Sequence, residues 1–94
     1  LELIAQALEA KPDSPAILDS MGWVLYKLGQ HKKALTYFEQ AWNLIQDHEI
    51  AAHYGEVLWI IGKREKARKI WERGYESKPE SEIIRATINR LQDS

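Results

Sequence analysis

The sequence predicts an all-α chain made of repeated helix pairs, and a 33-residue repeat is the first observation behind that prediction. Shifting the sequence against itself by 33 residues brings Gly22 onto Gly55 and Gly29 onto Gly62. The same shift aligns aromatic residues at Tyr26/Trp59, Phe38/Trp71 and Trp42/Tyr75. A fixed period between about 20 and 50 residues is typical of a solenoid, in which each unit packs against its neighbours.

Helical periodicity inside each unit is the second observation. Apolar residues recur at spacings of three and four, which predicts two amphipathic helices per unit. Ser14 before Pro15 indicates a helix start, and Gly29 and Gly62 indicate helix ends. The expected helices cover about residues 15–28, 31–45, 48–61, 64–77 and 81–92. In the first unit the apolar positions are Leu18, Met21, Gly22, Leu25 and Leu28, then Ala34, Leu35, Phe38, Ala41 and Trp42.

Composition narrows the class of protein. The 94 residues are 45% hydrophobic and 29% charged, which is typical of a globular domain. Because 13 basic residues face 14 acidic ones, no general attraction to nucleic acid is expected, and we predict no nucleic-acid partner. No apolar run approaches the roughly 20 residues of a membrane span, so no direct membrane insertion is expected. The absence of cysteine excludes disulfides and thiolate chemistry.

The residues expected where helices cross resemble the tetratricopeptide-repeat (TPR) family. That family places small residues where the two helices of a repeat cross, because a larger side chain would hold the backbones apart, and a bulky aromatic residue fills the adjoining space. The resemblance covers nearly the whole chain. The matching residues are Gly22, Ala34, Phe38 and Ala41 in the first unit and Gly55, Ala67, Trp71, Gly74 and Pro79 in the second. Departures from the family pattern are Leu18 and Ala51 for the usual Trp, Leu25 and Leu58 for the usual Tyr, and Gln46 for the proline.

This resemblance implies a TPR-type α-solenoid of antiparallel helix pairs with a C-terminal capping helix, forming a single domain over residues 1–94. In the same register, residues 1–12 are expected to be the second helix of a truncated repeat, with Ile4 and Ala7 at the large and small positions. Residues 15–47 and 48–80 are the two repeats, and residues 81–94 hold the capping helix. A polar outer face is expected for that cap.

Catalytic and metal-binding motifs are weak. The segment His48–His53 is superficially similar to the zinc-protease motif, but its histidines are five residues apart instead of four. Such residues lie about 140° apart around a helix and cannot share a metal ion. The acidic residues are scattered, and no serine lies in a nucleophile elbow. We therefore expect no enzymatic activity, no metal and no cofactor.

The basic run from Lys63 to Arg73 is the sharpest charge feature. Residues 63–78 hold seven Lys and Arg against three Asp and Glu, whereas residues 1–62 hold four against eight. Ile70 and Trp71 indicate that this helix already has a buried face, and three glutamates interrupt the run. A solvated outer face is the favoured interpretation, and an acidic protein partner or a membrane surface is the alternative.

In TPR arrays the first helix of each repeat lines a concave groove that binds extended or helical peptides, and the resemblance implies the partner-binding residues. Asp19 and Trp23 stand where a known carboxylate-binding mode uses Lys and Asn, so that mode is not expected. Trp23, Tyr26 and Trp59 have an alternative role, which is packing between adjacent repeats. The implied residues are Asp19, Trp23, Tyr26, Lys27, His53, Glu56, Trp59, Ile60, Arg85 and Asn89.

The expected function is a protein-interaction scaffold or adaptor whose partner is a protein or peptide. The alternative is a structural end-cap or self-association segment of a longer superhelix, with a homodimer forming through the exposed edge of residues 1–11. The segment Ile17–Gly29 is similar to the C-terminal repeats of long bacterial TPR proteins, many of which resemble outer-membrane-associated lipoproteins. That likeness implies a bacterial cell envelope location, facing the periplasm and directed by an upstream signal.

Overall fold

The computed structural model describes residues 2–4, 6 and 14–92, and these residues form helices and short connections without a strand. The predicted all-α class is confirmed, and no predicted helix end differs by more than one residue from the observed end. Residues 2–4 and 6 are helical, but most of the predicted helix over residues 1–12, including Ala7, lies outside the described residues. The helices are α1 (Pro15–Lys27), α2 (His31–Leu44), α3 (His48–Ile60), α4 (Arg64–Ser77) and α5 (Glu82–Gln92).

The chain divides into two compact units, Leu1–Ile45 and Gln46–Ser94. The first unit contains the pair α1 and α2. The second contains α3, α4 and α5, with α3 packed against both of the other helices.

The turns after α1 and α3 have the same geometry. Gly29 and Gly62 adopt φ values of +84° and +96°, in the left-handed region that favours glycine. In each turn the residue after the glycine donates its N–H to a carbonyl five residues earlier, which closes a Schellman motif and satisfies the last turn of the helix. The donors and acceptors are Gln30 to Leu25 at 2.9 Å and Lys63 to Leu58 at 2.8 Å.

The helix starts differ between the two members of each pair. Side-chain oxygens cap α1, α3 and α5, because Ser14, Asp47 and Ser81 each accept a backbone N–H from the first turn. The helices α2 and α4 begin directly after the glycine turns, and their N-cap residues, Gln30 and Lys63, make no side-chain cap hydrogen bond.

In the first unit, the crossing of α1 and α2 brings Gly22 against the ring of Phe38. A Cβ atom on Gly22 would lie 3.0 Å from three carbons of that ring. Phe38 is fully buried, and Leu18 and Ala34 are buried with it. The absence of a side chain at Gly22 therefore determines how closely the two helices approach.

In the second unit, Gly55 and Trp71 form the equivalent crossing with less space. A Cβ on Gly55 would lie 2.6 Å from Cδ1 of Trp71, inside van der Waals contact. The Trp71 Nε1 atom is buried and has no hydrogen-bond partner among the described residues. The wider indole thus occupies all the space above the glycine.

Gly74 is where α4 passes both of its neighbours in the second unit. A Cβ there would lie 2.5 Å from the Cβ of Ala51 on α3 and 2.7 Å from Cδ1 of Ile84 on α5. Ser81 adds a polar link at the same end, since its Oγ lies 2.8 Å from Nδ1 of His48 and also caps α5. This small-residue contact and this hydrogen bond hold α5 on the helix pair.

Replacing Gly55 by Ala is expected to lower the free energy of unfolding by about 1–3 kcal/mol, because the new methyl group overlaps the indole of Trp71. Replacing Gly22 by Ala is expected to cost less than the change at Gly55, because the new Cβ would lie 3.0 Å from the Phe38 ring without overlapping it, and the gain in helix propensity offsets part of the loss. Urea unfolding followed by circular dichroism measures both changes. The double variant Gly55→Ala with Trp71→Phe should be less destabilised than the sum of its single variants; additive losses would contradict this packing account.

Replacing Ser81 by Ala is expected to cost about 1–3 kcal/mol of unfolding free energy, because it removes both the α5 cap and the partner of His48. Ser14→Ala is the matched control at the more exposed cap of α1, where the bond to Ile17 is 3.4 Å long. The same urea titration measures the free energy of unfolding of both variants. An equal decrease in the two would show that the contact between Ser81 and His48 contributes nothing to stability.

Candidate functional site

Four of the predicted binding residues share one side of α1. At about 100° per residue, Asp19, Trp23 and Tyr26 lie within about 60° of one another around the helix. The Trp23 and Tyr26 rings are 5.4 Å apart between centroids, and both are half-buried. The Lys27 ammonium lies 4.7 Å from the Trp23 ring centre and 5.6 Å from that of Tyr26. The exposed Lys27 side chain therefore places its cation over the two aromatic rings.

His31 extends this group across the turn, which the sequence did not predict. Its ring centroid is 5.1 Å from that of Tyr26, so Trp23, Tyr26 and His31 form a continuous aromatic row. The signal that could have identified it is the tight glycine turn, which brings the last turn of α1 against the first residue of α2. The aromatic row, with Lys27 over it, is the largest group of half-buried rings in the described part of the first unit.

Trp59, at the repeat position equivalent to Tyr26, packs inside the second unit. It is 7% exposed, and its ring centroid is 5.5 Å from that of Trp71. The guanidinium groups of Arg64 and Arg68 lie 4.6 Å and 5.3 Å from its ring centre. These contacts favour the packing alternative for Trp59.

Glu56, at the position equivalent to Trp23, is also inside the second unit. It is 2% exposed, and its Oε1 pairs with Nη2 of Arg90 on α5. A buried carboxylate is costly unless it is paired, so Arg90 satisfies Glu56 while much of its own side chain stays exposed. Sequence reasoning did not identify Arg90 as the partner of Glu56. The two residues are 34 positions apart, one more than the 33-residue repeat, and this spacing is the signal that could have indicated the pair.

The other predicted residues of the second unit remain more accessible. His53 is half-buried, whereas Ile60 is 47% exposed. Arg85 and Asn89 are exposed on α5, and Arg85 forms an ion pair with Glu82 on the same helix. Within this unit, the four positions just named are at least partly accessible to solvent, whereas Glu56 and Trp59 are buried.

The described residues offer little for metal or membrane chemistry. Residues 2–4, 6 and 14–92 contain no group of three or more His, Cys, Asp or Glu side chains that could hold a metal ion. The Nδ1 atom of His48 contacts Ser81, so this histidine has a structural partner. None of the described helices is long and apolar enough to cross a membrane.

Replacing Trp59 by Ala is expected to lower the free energy of unfolding by about 3–5 kcal/mol, the range typical of a buried aromatic side chain. Replacing the half-buried Trp23 by Ala is expected to cost less. Thermal and urea unfolding of the two variants measure this difference. A Trp59→Ala variant as stable as the parent chain would show that this indole does not contribute to packing.

Comparison with known proteins agrees with this geometry. A family model described as the tetratricopeptide repeat matches residues 16–48, which include α1, α2 and the close contact of Gly22 with Phe38. A TPR repeat-containing protein of Pseudomonas aeruginosa is 49% identical over 90 residues, which is 96% of this chain and 15% of that protein. The chain thus spans less than a sixth of the length of its relative. Repeats of this kind generally mediate protein–protein interaction as non-catalytic scaffolds, and the chain belongs to the tetratricopeptide-repeat family.

Proposed function

We propose that this chain is an adaptor segment that binds a polypeptide partner through the side of α1 that carries Asp19, Trp23, Tyr26 and Lys27. The observation that carries the proposal is the half-buried aromatic row of Trp23, Tyr26 and His31, with the Lys27 ammonium over its first two rings. Aromatic side chains on an accessible helix face offer large contact areas and lose little conformational entropy on binding.

The charges beside the row indicate what kind of segment fits it. Asp19 lies on the same side of α1 as Trp23, one turn earlier, and Lys27 lies one turn later. A bound segment therefore meets an apolar ring surface with a carboxylate near one end and an ammonium near the other. Apolar side chains flanked by polar or charged groups match this arrangement.

The second unit has its own accessible predicted positions, and we propose them as a set of contact residues of that unit considered by itself: His53 and Ile60 on α3 and Arg85 and Asn89 on α5. Glu56 and Trp59 support that set from inside the unit, through Arg90 and Trp71. Their proposed role is to fix the direction of α3 and α5, and the contacts to the partner come from the exposed residues.

The structural alternative also has an observation in its favour. α5 is attached to α3 by the buried pair Glu56 and Arg90, and its cap Ser81 contacts His48. Such an attachment suits a helix that ends a repeat array and covers its last apolar surface. In that case the aromatic row is a packing surface, and substitutions in it change stability without changing the affinity for a peptide.

Replacing Tyr26 by Ala is expected to weaken peptide binding about tenfold or more, because it removes the central ring of the aromatic row. The ligand is a peptide selected from a random displayed library against the full chain, and fluorescence anisotropy measures its Kd. Tyr37→Ala is the matched control, since Tyr37 is also a half-buried tyrosine of the first unit but lies on α2. We expect the control to change Kd by less than about twofold.

Equal losses of peptide affinity in the two tyrosine variants, or no loss in either, would contradict the proposal that the aromatic row on α1 binds the peptide. Circular dichroism of each variant separates a local effect from unfolding. A chain that selects no peptide, and whose Tyr26→Ala variant is merely less stable, would support the structural alternative.

A further inference from the structure

The start of α4 carries a concentration of positive charge at the corner where α3 turns into it. A surface depression of about 500 Å³ lies there, entirely within the second unit. Two exposed isoleucines, Ile60 and Ile61, directly precede the residues that line the depression. We call this region the basic corner; it comprises Ile60, Ile61 and the charged residues that line the depression, which are Lys63, Arg64, Glu65, Lys66 and Lys69.

The cations of the basic corner lie at the N-terminal end of α4, where the helix dipole is already positive. Lys63 occupies the N-cap position of α4 and makes no side-chain cap, and Arg64 and Lys66 lie in the first turn on either side of its one acid, Glu65. The N-terminus of a helix is the positive end of its dipole, so cations there reduce helix stability and anions increase it. Asp or Ser at the N-cap would be the stabilising choice. Local rules that are broken in this way often mark a binding surface.

The positive charge is only partly offset inside the unit, because four cations line the depression and Glu65 is the one carboxylate that lines it with them. Across the part of the chain that the structure describes, Lys63, Arg64, Lys66 and Lys69 form no ion pair with a carboxylate, whereas Arg73 on the same helix pairs with Glu76. Arg64 lies over the Trp59 ring, which holds the guanidinium at the surface. A neutral ring orients that cation but does not neutralise it.

Two exposed aliphatic side chains close to these cations in the sequence indicate what kind of partner fits the basic corner. Ile60 is 47% exposed and Ile61 is 37% exposed. We propose that the basic corner is a second docking surface, and that it binds an acidic polypeptide segment carrying aliphatic side chains. Carboxylates of the segment pair with the lysines and with Arg64, and its aliphatic side chains cover the two isoleucines.

Other anionic partners fit this surface less well. Nonspecific binding of single-stranded nucleic acid uses exposed rings on which bases stack, and Tyr54 and Trp59 on α3 and Trp71 on α4 are all buried. A membrane-surface helix requires an apolar face turned outward, and the apolar face of α4, with Ala67, Ile70 and Trp71, is buried inside the unit. The inference does not depend on the aromatic row, and it shares only Ile60 with the binding residues predicted from the sequence.

The test uses the full chain and a short fluorescein-labelled peptide of alternating Glu and Leu residues, with anisotropy as the readout. We expect saturable binding that weakens as salt concentration rises, because the pairs lie at the surface. The same peptide with Gln in place of Glu should bind about tenfold more weakly or not at all. Equal binding of the two peptides would overturn the proposal.

The informative variant is Lys63→Asp combined with Lys66→Glu. It should weaken binding of the Glu–Leu peptide by about tenfold or more. Its melting temperature should rise, since the new acids cap α4 and favour its dipole, so the loss of binding cannot come from unfolding. The matched control, Lys32→Glu with Lys33→Glu, makes the same change in net charge in the first turn of α2. We expect it to keep nearly the full affinity.

Three results would overturn the inference: an equal loss in the two charge variants, binding of phosphatidylserine vesicles without binding of the Glu–Leu peptide, or binding of single-stranded DNA without it. Tyr26→Ala should leave binding of the Glu–Leu peptide unchanged. That variant therefore separates a failure at the basic corner from a failure of the proposed α1 site.

Discussion

The contact between a glycine on the first helix and an aromatic ring on the second is the constraint on which each unit depends. Gly22 with Phe38 and Gly55 with Trp71 let the helices approach closely enough for the ring to lie over a bare backbone. Because the ring fills that space, the crossing point is determined, and the orientation of the remaining faces follows from it. At about 100° per residue, Tyr26 lies about 40° from Gly22 around α1, so the aromatic row borders this contact.

Equivalent repeat positions have different roles in the two units. Trp23 and Tyr26 are half-buried on α1, whereas Glu56 and Trp59 at the matching positions of α3 are buried. In the second unit Arg90 of α5 pairs with Glu56, and Trp71 and two arginines of α4 surround Trp59. A repeat position therefore does not by itself assign a binding role, because the neighbouring helix decides whether a side chain meets solvent.

The charges of α4 separate into a structural group and a surface group. Arg68 lies over the ring of Trp59 and Arg73 pairs with Glu76, whereas Arg64 belongs to both groups because it lies over the same ring and lines the basic corner. Three exposed glutamates interrupt the run, so α4 does not present one uniform field along its length. The excess of cations is confined to its first turns, where it opposes the helix dipole.

The sequence by itself determined the helices, their ends and the close crossings, because each of these depends on local signals. Glycines at a fixed spacing, cap residues and three- and four-residue periodicity predicted every end of α1 to α5 within one residue. Within the candidate site, the helical period alone places Asp19, Trp23, Tyr26 and Lys27 along one side of α1. Only the tertiary structure decided the burial of Trp59 and Glu56, the partnership with Arg90 and the addition of His31 to the aromatic row. Those outcomes depend on contacts between side chains of different helices, which the periodicity of a single helix does not encode.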